Sequence, residues 1–181
     1  MRSFAHLHAG KTFAVLALLR TLFDITLLRK GPEVIPHSPL VLLLTIVFWC
    51  IASLSALLLI ERVDITDLRL DVVSTIVAIV VYSSIVVLSG FTPRLMQTLS
   101  AVIGCGAIVR FVFVCSYALT RPFVGDTFIG LLAWGVLLWS ISVKGHIIAR
   151  AVDRHWYFGL LIAVTVFVLQ RLVDVWITAP P

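Results

Sequence analysis

The sequence predicts an all-α fold: a polytopic membrane helical bundle of five transmembrane helices, preceded by an N-terminal interfacial amphipathic helix. Three observations carry that prediction. Of 181 residues, 61% are hydrophobic and 13% charged, whereas a soluble domain is nearer half apolar and a quarter charged. So few charges could not cover a soluble surface, and disorder needs the opposite bias. Five apolar stretches approach the roughly 20 residues needed to cross about 30 Å of hydrocarbon. The basic residues cluster mostly at the ends of those stretches, where they set topology and meet anionic headgroups.

Residues 1–38 form the N-terminal segment. Within it, residues 11–30, KTFAVLALLRTLFDITLLRK, are too interrupted by charge to span comfortably. Arg20 and Asp24 stand at i,i+4 on one helix face, and Phe13, Leu16, Leu19, Phe23 and Leu27 can lie on the other. That pattern suits a helix lying in the interface with its apolar face among acyl chains; the alternative is a sixth span, which would move the N-terminus outside. No small-residue cleavage site follows, so the segment reads as retained structure. The next stretch, GPEVIPHSP, is rich in proline, which biases preceding residues away from helix and makes a stiff elbow.

Residues 39–178 form the transmembrane domain, with spans at about 39–60, 72–89, 99–118, 127–143 and 156–178. The first two carry no charge. Their β-branched content opposes helix in water, but backbone hydrogen bonding in lipid overrides it. The third contains Arg110, the fourth ends before Lys144, and the fifth contains Arg171 and Asp174. The connections are short: an acidic loop from Glu61 to Asp71, a Gly/Pro turn at 90–98, a turn at 120–126, and a basic linker from Lys144 to His155. None is large enough for a soluble domain.

Orientation follows from Lys and Arg alone. One side carries Arg2, Lys11, Arg20, Arg29, Lys30, Arg94, Lys144, Arg150 and Arg154; the other carries Arg62, Arg69 and Arg121. This places the N-terminus in the cytoplasm and, after five spans, the C-terminus outside. Trp156, Tyr157 and Trp176 sit where interfacial anchors belong.

The candidate functional residues are the charges within spans. A cation there costs a few kcal/mol, about 3 on insertion scales, so Arg110 should face the bundle and find a partner. Asp174, with Arg171 one turn before it, and Asp71 are the acids within reach. The functional reading is an intramembrane ionic site of Arg110, Arg171, Asp174 and Asp71. The alternative is a structural ion pair or an arginine snorkelling to headgroups. Ser100, Gly104 and Gly106 on the third span, with Gly130 and Gly135 on the fourth, make small-residue patches that let helix backbones approach.

Other chemistry finds no support in the residues. Cys50, Cys105 and Cys115 lie in apolar runs without a CxxC pair. The histidines form no converging set of three or four metal ligands, and no nucleophile elbow, zinc-protease motif or phosphate loop appears. The expectation is therefore no enzyme, no cofactor, no metal and no nucleic-acid partner; the expected partners are membrane lipids and a membrane protein or a second copy of the chain.

An amphipathic start, a proline elbow, five closely spaced helices and the run Leu132-Ala133-Trp134 through Leu138-Trp139 resemble the Yip family of Rab-interacting membrane proteins. The stretch from Trp134 to Arg150 carries most of the likeness. The chain is also similar to small proteobacterial inner-membrane proteins, with Gly31-Pro32, Pro36, Gln97-Thr98-Leu99 and Gly145-His146-Ile147 as landmarks. The Yip resemblance implies a scaffolding or trafficking-type role and brings no catalytic residue. The leading expectation is thus a non-enzymatic accessory or scaffold protein. The other is a small transporter, channel or lipid-handling protein built on Arg110. A water-filled cavity reaching Arg110 favours the second reading, and a dry ion pair favours the first.

Overall fold

The computed structural model describes residues 3–60 and 65–178. Arg2, Glu61, Arg62 and Asp64 lie outside the described residues, as do the side chains of His6, His8, Lys11 and Phe13. Six α-helices follow in order: α1 (Ser3–Thr26), α2 (Pro39–Leu59), α3 (Ile65–Leu88), α4 (Leu95–Thr120), α5 (Asp126–Ala151) and α6 (Trp156–Thr178). No strand occurs among the described residues. Helices α2 to α6 are long and apolar enough to cross a bilayer, and the fold is an all-α polytopic membrane bundle.

Helix α4 is the central pillar. Twelve of its 26 residues are buried, and it packs against α1, α2, α3 and α5. Its N-terminal half alone buries an unbroken run from Ser100 to Cys105, which accommodates neighbours on every side. Helices α2 and α4 pair extensively, as do α5 and α6, while α3 rests on α4 and α6.

Three helix boundaries differ from the sequence expectation. Helix α3 begins by residue 65, so Asp67, Arg69 and Asp71 are helical. Helix α4 begins at Leu95, immediately after a short 3-10 turn at Thr92–Arg94. Most important, α5 continues through Lys144 to Ala151 and is 26 residues, about 39 Å, long. The expected basic linker is therefore mainly helix, and Lys144 is seven residues inside it. A charge does not end a helix whose backbone bonds are already made, and only at Asp153 does the chain turn back, in a left-handed conformation (φ 49°).

Helix α1 docks as well as presenting an apolar face. Leu16, Leu19 and Phe23 are exposed, but Leu22, Ile25 and Thr26 are fully buried in the main core beside Ala101, Cys105 and Ile147. The Trp139 indole N–H donates to the Thr26 carbonyl (3.1 Å). Asp24 pairs with Lys30 at 2.8 Å, across the left-handed reversal at Leu28 (φ 62°). The elbow beyond is clamped: Gln97 Nε2 donates to the Ile35 carbonyl (2.7 Å), Arg150 pairs with Glu33 (2.9 Å), and a His146 ring nitrogen bonds the Lys30 carbonyl (3.1 Å). Arg94 reaches across to Asp153 at 2.9 Å.

Candidate functional site

Three helices bring polar groups together towards the end of the bundle at which α3 begins. Asp71 lies six residues into α3, and Arg110 ten residues before the end of the oppositely directed α4, so the two meet at one level. Both guanidinium Nη atoms donate to the Asp71 carboxylate, Nη1 to Oδ2 and Nη2 to Oδ1. A forked guanidinium matched to a carboxylate in this way is the strongest common side-chain pairing. Arg110 Nη1 also bonds Ser53 Oγ of α2, whose hydroxyl in turn lies 3.4 Å from Asp71 Oδ2. The Trp49 ring caps the guanidinium, with Cζ 5.7 Å from its centroid. Both charged side chains remain about a quarter exposed (26% and 25%).

The other two expected members stand apart. Arg171 pairs with Asp174 one turn away, at 3.4 Å, within α6. Arg171 also leans over the Phe167 ring (5.4 Å), and Asp174 Oδ1 is buried without a hydrogen bond. Of the four residues expected to form one ionic site, Arg110 and Asp71 come together, and Arg171 and Asp174 form a second, separate pair.

Arg110 borders a cavity of about 290 Å³. Its walls are mostly apolar: Ala78 and Ile79 of α3, Val102, Ile103 and Phe113 of α4, and Ala133, Val136 and Leu137 of α5. The polar lining is Arg110, Thr75, Ser140, Lys144 and Gln170. Gln170 is spent on structure, donating to the Ser74 carbonyl at 2.8 Å and so tying α6 to α3. Lys144 is half-buried and has neither a hydrogen-bond nor an ion-pair partner among the described residues. A volume near 300 Å³ is the lower end of small-molecule sites, which are concave and apolar with a few convergent polar groups. A second, wholly apolar groove of about 210 Å³ lies between α1 and α2, along Leu18, Leu22, Thr45 and Phe48.

The small residues separate into three roles. Gly104 is a close contact: a Cβ there would meet both Leu22 methyls at 2.9 Å and Thr45 Cγ2 at 3.0 Å. Ser100 is buried, its hydroxyl unbonded. Gly106 faces the cavity, with nothing within 4 Å of such a Cβ, and the same is true of Gly130 and Gly135, which are exposed on α5. The expected packing by those three glycines is absent within the described chain. The tight seam is elsewhere, between Gly145 of α5 and Gly159 of α6, where a Cβ on Gly159 would lie 2.0 Å from the Gly145 carbonyl oxygen.

Sequence reasoning missed Lys144, Ser53, Trp49 and this seam. The seam had a signal: Gly145 and Ala149 on α5, and Gly159 and Ala163 on α6, are each a small-xxx-small pair. Lys144 is hidden in the sequence because a charge-free run ends in front of it. Among the described residues no three His, Cys, Asp or Glu side chains are grouped to hold a metal ion. No family model, curated protein or solved structure matches this chain.

Proposed function

We propose that this is a small transporter, channel or lipid-handling protein of a bacterial inner membrane, which holds its ligand in the cavity beside Arg110. The observation that carries the reading is that cavity: about 290 Å³ of open space inside a membrane bundle, bordered by a paired arginine and a lysine without a partner among the described residues. A purely structural ion pair needs no such space, because core side chains otherwise close-pack. With Lys144 inside α5, eight basic residues remain on the N-terminal side against three on the other. That still favours a cytoplasmic N-terminus and an external C-terminus.

Gly106→Leu tests the reading. The position lines the cavity and has room for a side chain, so the variant should insert and melt like the parent while losing the small molecule or lipid that co-purifies in native mass spectrometry. An unchanged complement of bound molecules in Gly106→Leu would overturn it.

A scaffold role is the second reading, and one observation favours it. Gly130, Trp134, Gly135 and Leu138 are exposed along α5, a face where another helix could approach. It predicts a crosslinked dimer or hetero-complex after mild detergent extraction. Recovery only as a lone monomer counts against it.

A further inference from the structure

The charges lining the cavity do not cancel. Asp71 neutralises Arg110 through two hydrogen bonds, which leaves the Lys144 ammonium over. Burial is the largest cost to its charged form; Arg110 and Arg171 also repel it, and Asp71, which attracts it, is already committed to Arg110. An unpaired cation inside a membrane span is costly, and such residues characteristically mark a ligand or ion path.

Snorkelling does not readily relieve it. Lys144 lies seven residues before the end of α5 at Ala151, about 10 Å from that end. Side chains on a helix lean towards its N-terminus, so on α5 the lysine is directed away from the nearer membrane face and towards the middle. Ser140, one turn earlier and therefore on the same face, also lines the cavity. Its hydroxyl makes no hydrogen bond among the described residues, whereas that of Ser142, two residues on, bonds back to the Leu138 carbonyl at 3.0 Å. An unpaired ammonium and an unused hydroxyl thus share one wall, and Val102, Ile103 and Phe113 form an apolar wall on α4.

Resting on the cavity reading above, we infer that the ligand is a monoanionic amphiphile, its carboxylate or phosphodiester held by Lys144 and Ser140 and its first carbons laid against α4. One negative charge brings the site of Arg110, Asp71 and Lys144 to neutrality; a dianion would overshoot it, and a neutral molecule would leave the lysine unpaired. The volume takes a headgroup and a few methylenes, so the rest of a long chain extends out between the helices.

The test uses the full chain in phosphatidylcholine nanodiscs at neutral pH, titrated with spin-labelled stearate and read as the motionally restricted fraction. Lys144→Met should weaken association about 10- to 100-fold, the range for a lost charge-assisted hydrogen bond, while Lys144→Arg retains it and Gly106→Leu abolishes it. Should Lys144→Met fail to insert, the spin-labelled alcohol of the same chain length makes the comparison on the parent protein, with the same loss expected. If Gly106→Leu abolishes binding but the lysine change, or the acid-to-alcohol change, does not weaken it, the anionic anchor is wrong and the cavity reading stands. If Gly106→Leu also binds normally, both are wrong. Displacement of the probe by phosphatidylglycerol assigns a phosphodiester lipid; its failure to displace assigns a carboxylate. Displacement by inorganic phosphate at equal potency overturns the amphiphile in favour of a free anion.

Discussion

Gly104 and Gly106 are two residues apart on α4 and live in opposite surroundings. On the Gly104 side the helix is pressed by Leu22 of α1 and Thr45 of α2; on the Gly106 side the nearest 4 Å are empty. Two residues turn a helix by about 200°, so the pair divides the pillar into a packed face and an open one. The packed face continues at the elbow end, where the Gly145–Gly159 seam fastens α6 to α5, the ties to Thr26 and Lys30 fasten α1 and its following turn to α5, and Gln97 fastens the elbow at Ile35 to α4. The open face holds Arg110, Lys144 and the cavity. In a membrane, where lipid is as apolar as leucine and association rests on close packing and hydrogen bonds, leaving one face loose must be offset by tightness on the other.

The largest expected breach of that division is Gly159→Ala. Its methyl would stand 2.0 Å from the Gly145 carbonyl oxygen and 2.7 Å from the Ala149 amide nitrogen, both backbone atoms that cannot rotate away. Separation of α5 from α6 should cost more than about 3 kcal/mol and show as a large fall in Tm in detergent. A fall of under about 3 °C would mean that the seam is not closed.

Smaller, and a direct comparison of the two faces, is the pair Gly104→Ala and Gly106→Ala. The first presses on Leu22 methyls and Thr45 Cγ2, flexible groups that yield in part, and should cost about 1–2 kcal/mol. The second meets nothing and should be neutral within about 0.5 kcal/mol. Equal effects in urea or thermal unfolding would abolish the distinction.

The smallest effect concerns how α1 is fastened. The Lys30 ammonium beside Asp24 holds that carboxyl below its ordinary value, with Arg20 and Arg29 adding to the pull. A group whose pKa is lowered by folding stabilises the protein above its unfolded value and ceases to do so as pH falls through the folded one. The Tm difference between the parent and Asp24→Asn should therefore be constant near neutrality and shrink in acid, below about pH 4. A difference that grows on acidification would reverse the assignment.

Much of this was legible in the residues. Five spans follow from runs such as 39–60, where length and apolarity leave little choice, and Arg110 stood out because a lone cation in such a run demands a partner. Its partner was less clear, since Asp71 and Asp174 lie at comparable depth and only the arrangement of α3 and α6 around α4 selects Asp71. Lys144 illustrates the opposite error. A charge marks the edge of an apolar run, but a long helix can carry one inside it where a cavity receives the side chain. Leu22, Ile25 and Thr26 were obscured because an amphipathic helix in an interface and one docked on a bundle share the same periodicity; which apolar face is covered depends on the neighbours.

The central position of α4 has a consequence for biogenesis. Helices α2 and α3 are the first two spans to leave the ribosome and touch each other little, α2 finding its main neighbour in α4 and α3 in α6 and α4. Asp71 therefore enters the membrane before Arg110 has been synthesised, on a hairpin with little packing of its own. When α4 arrives it brings the counter-charge and the packing surface together. Insertion of the fourth helix is the step at which the separate spans α2 and α3 acquire a common support, to be completed by α5 and α6, and an arrest just before it should leave α3 exposed to quality control.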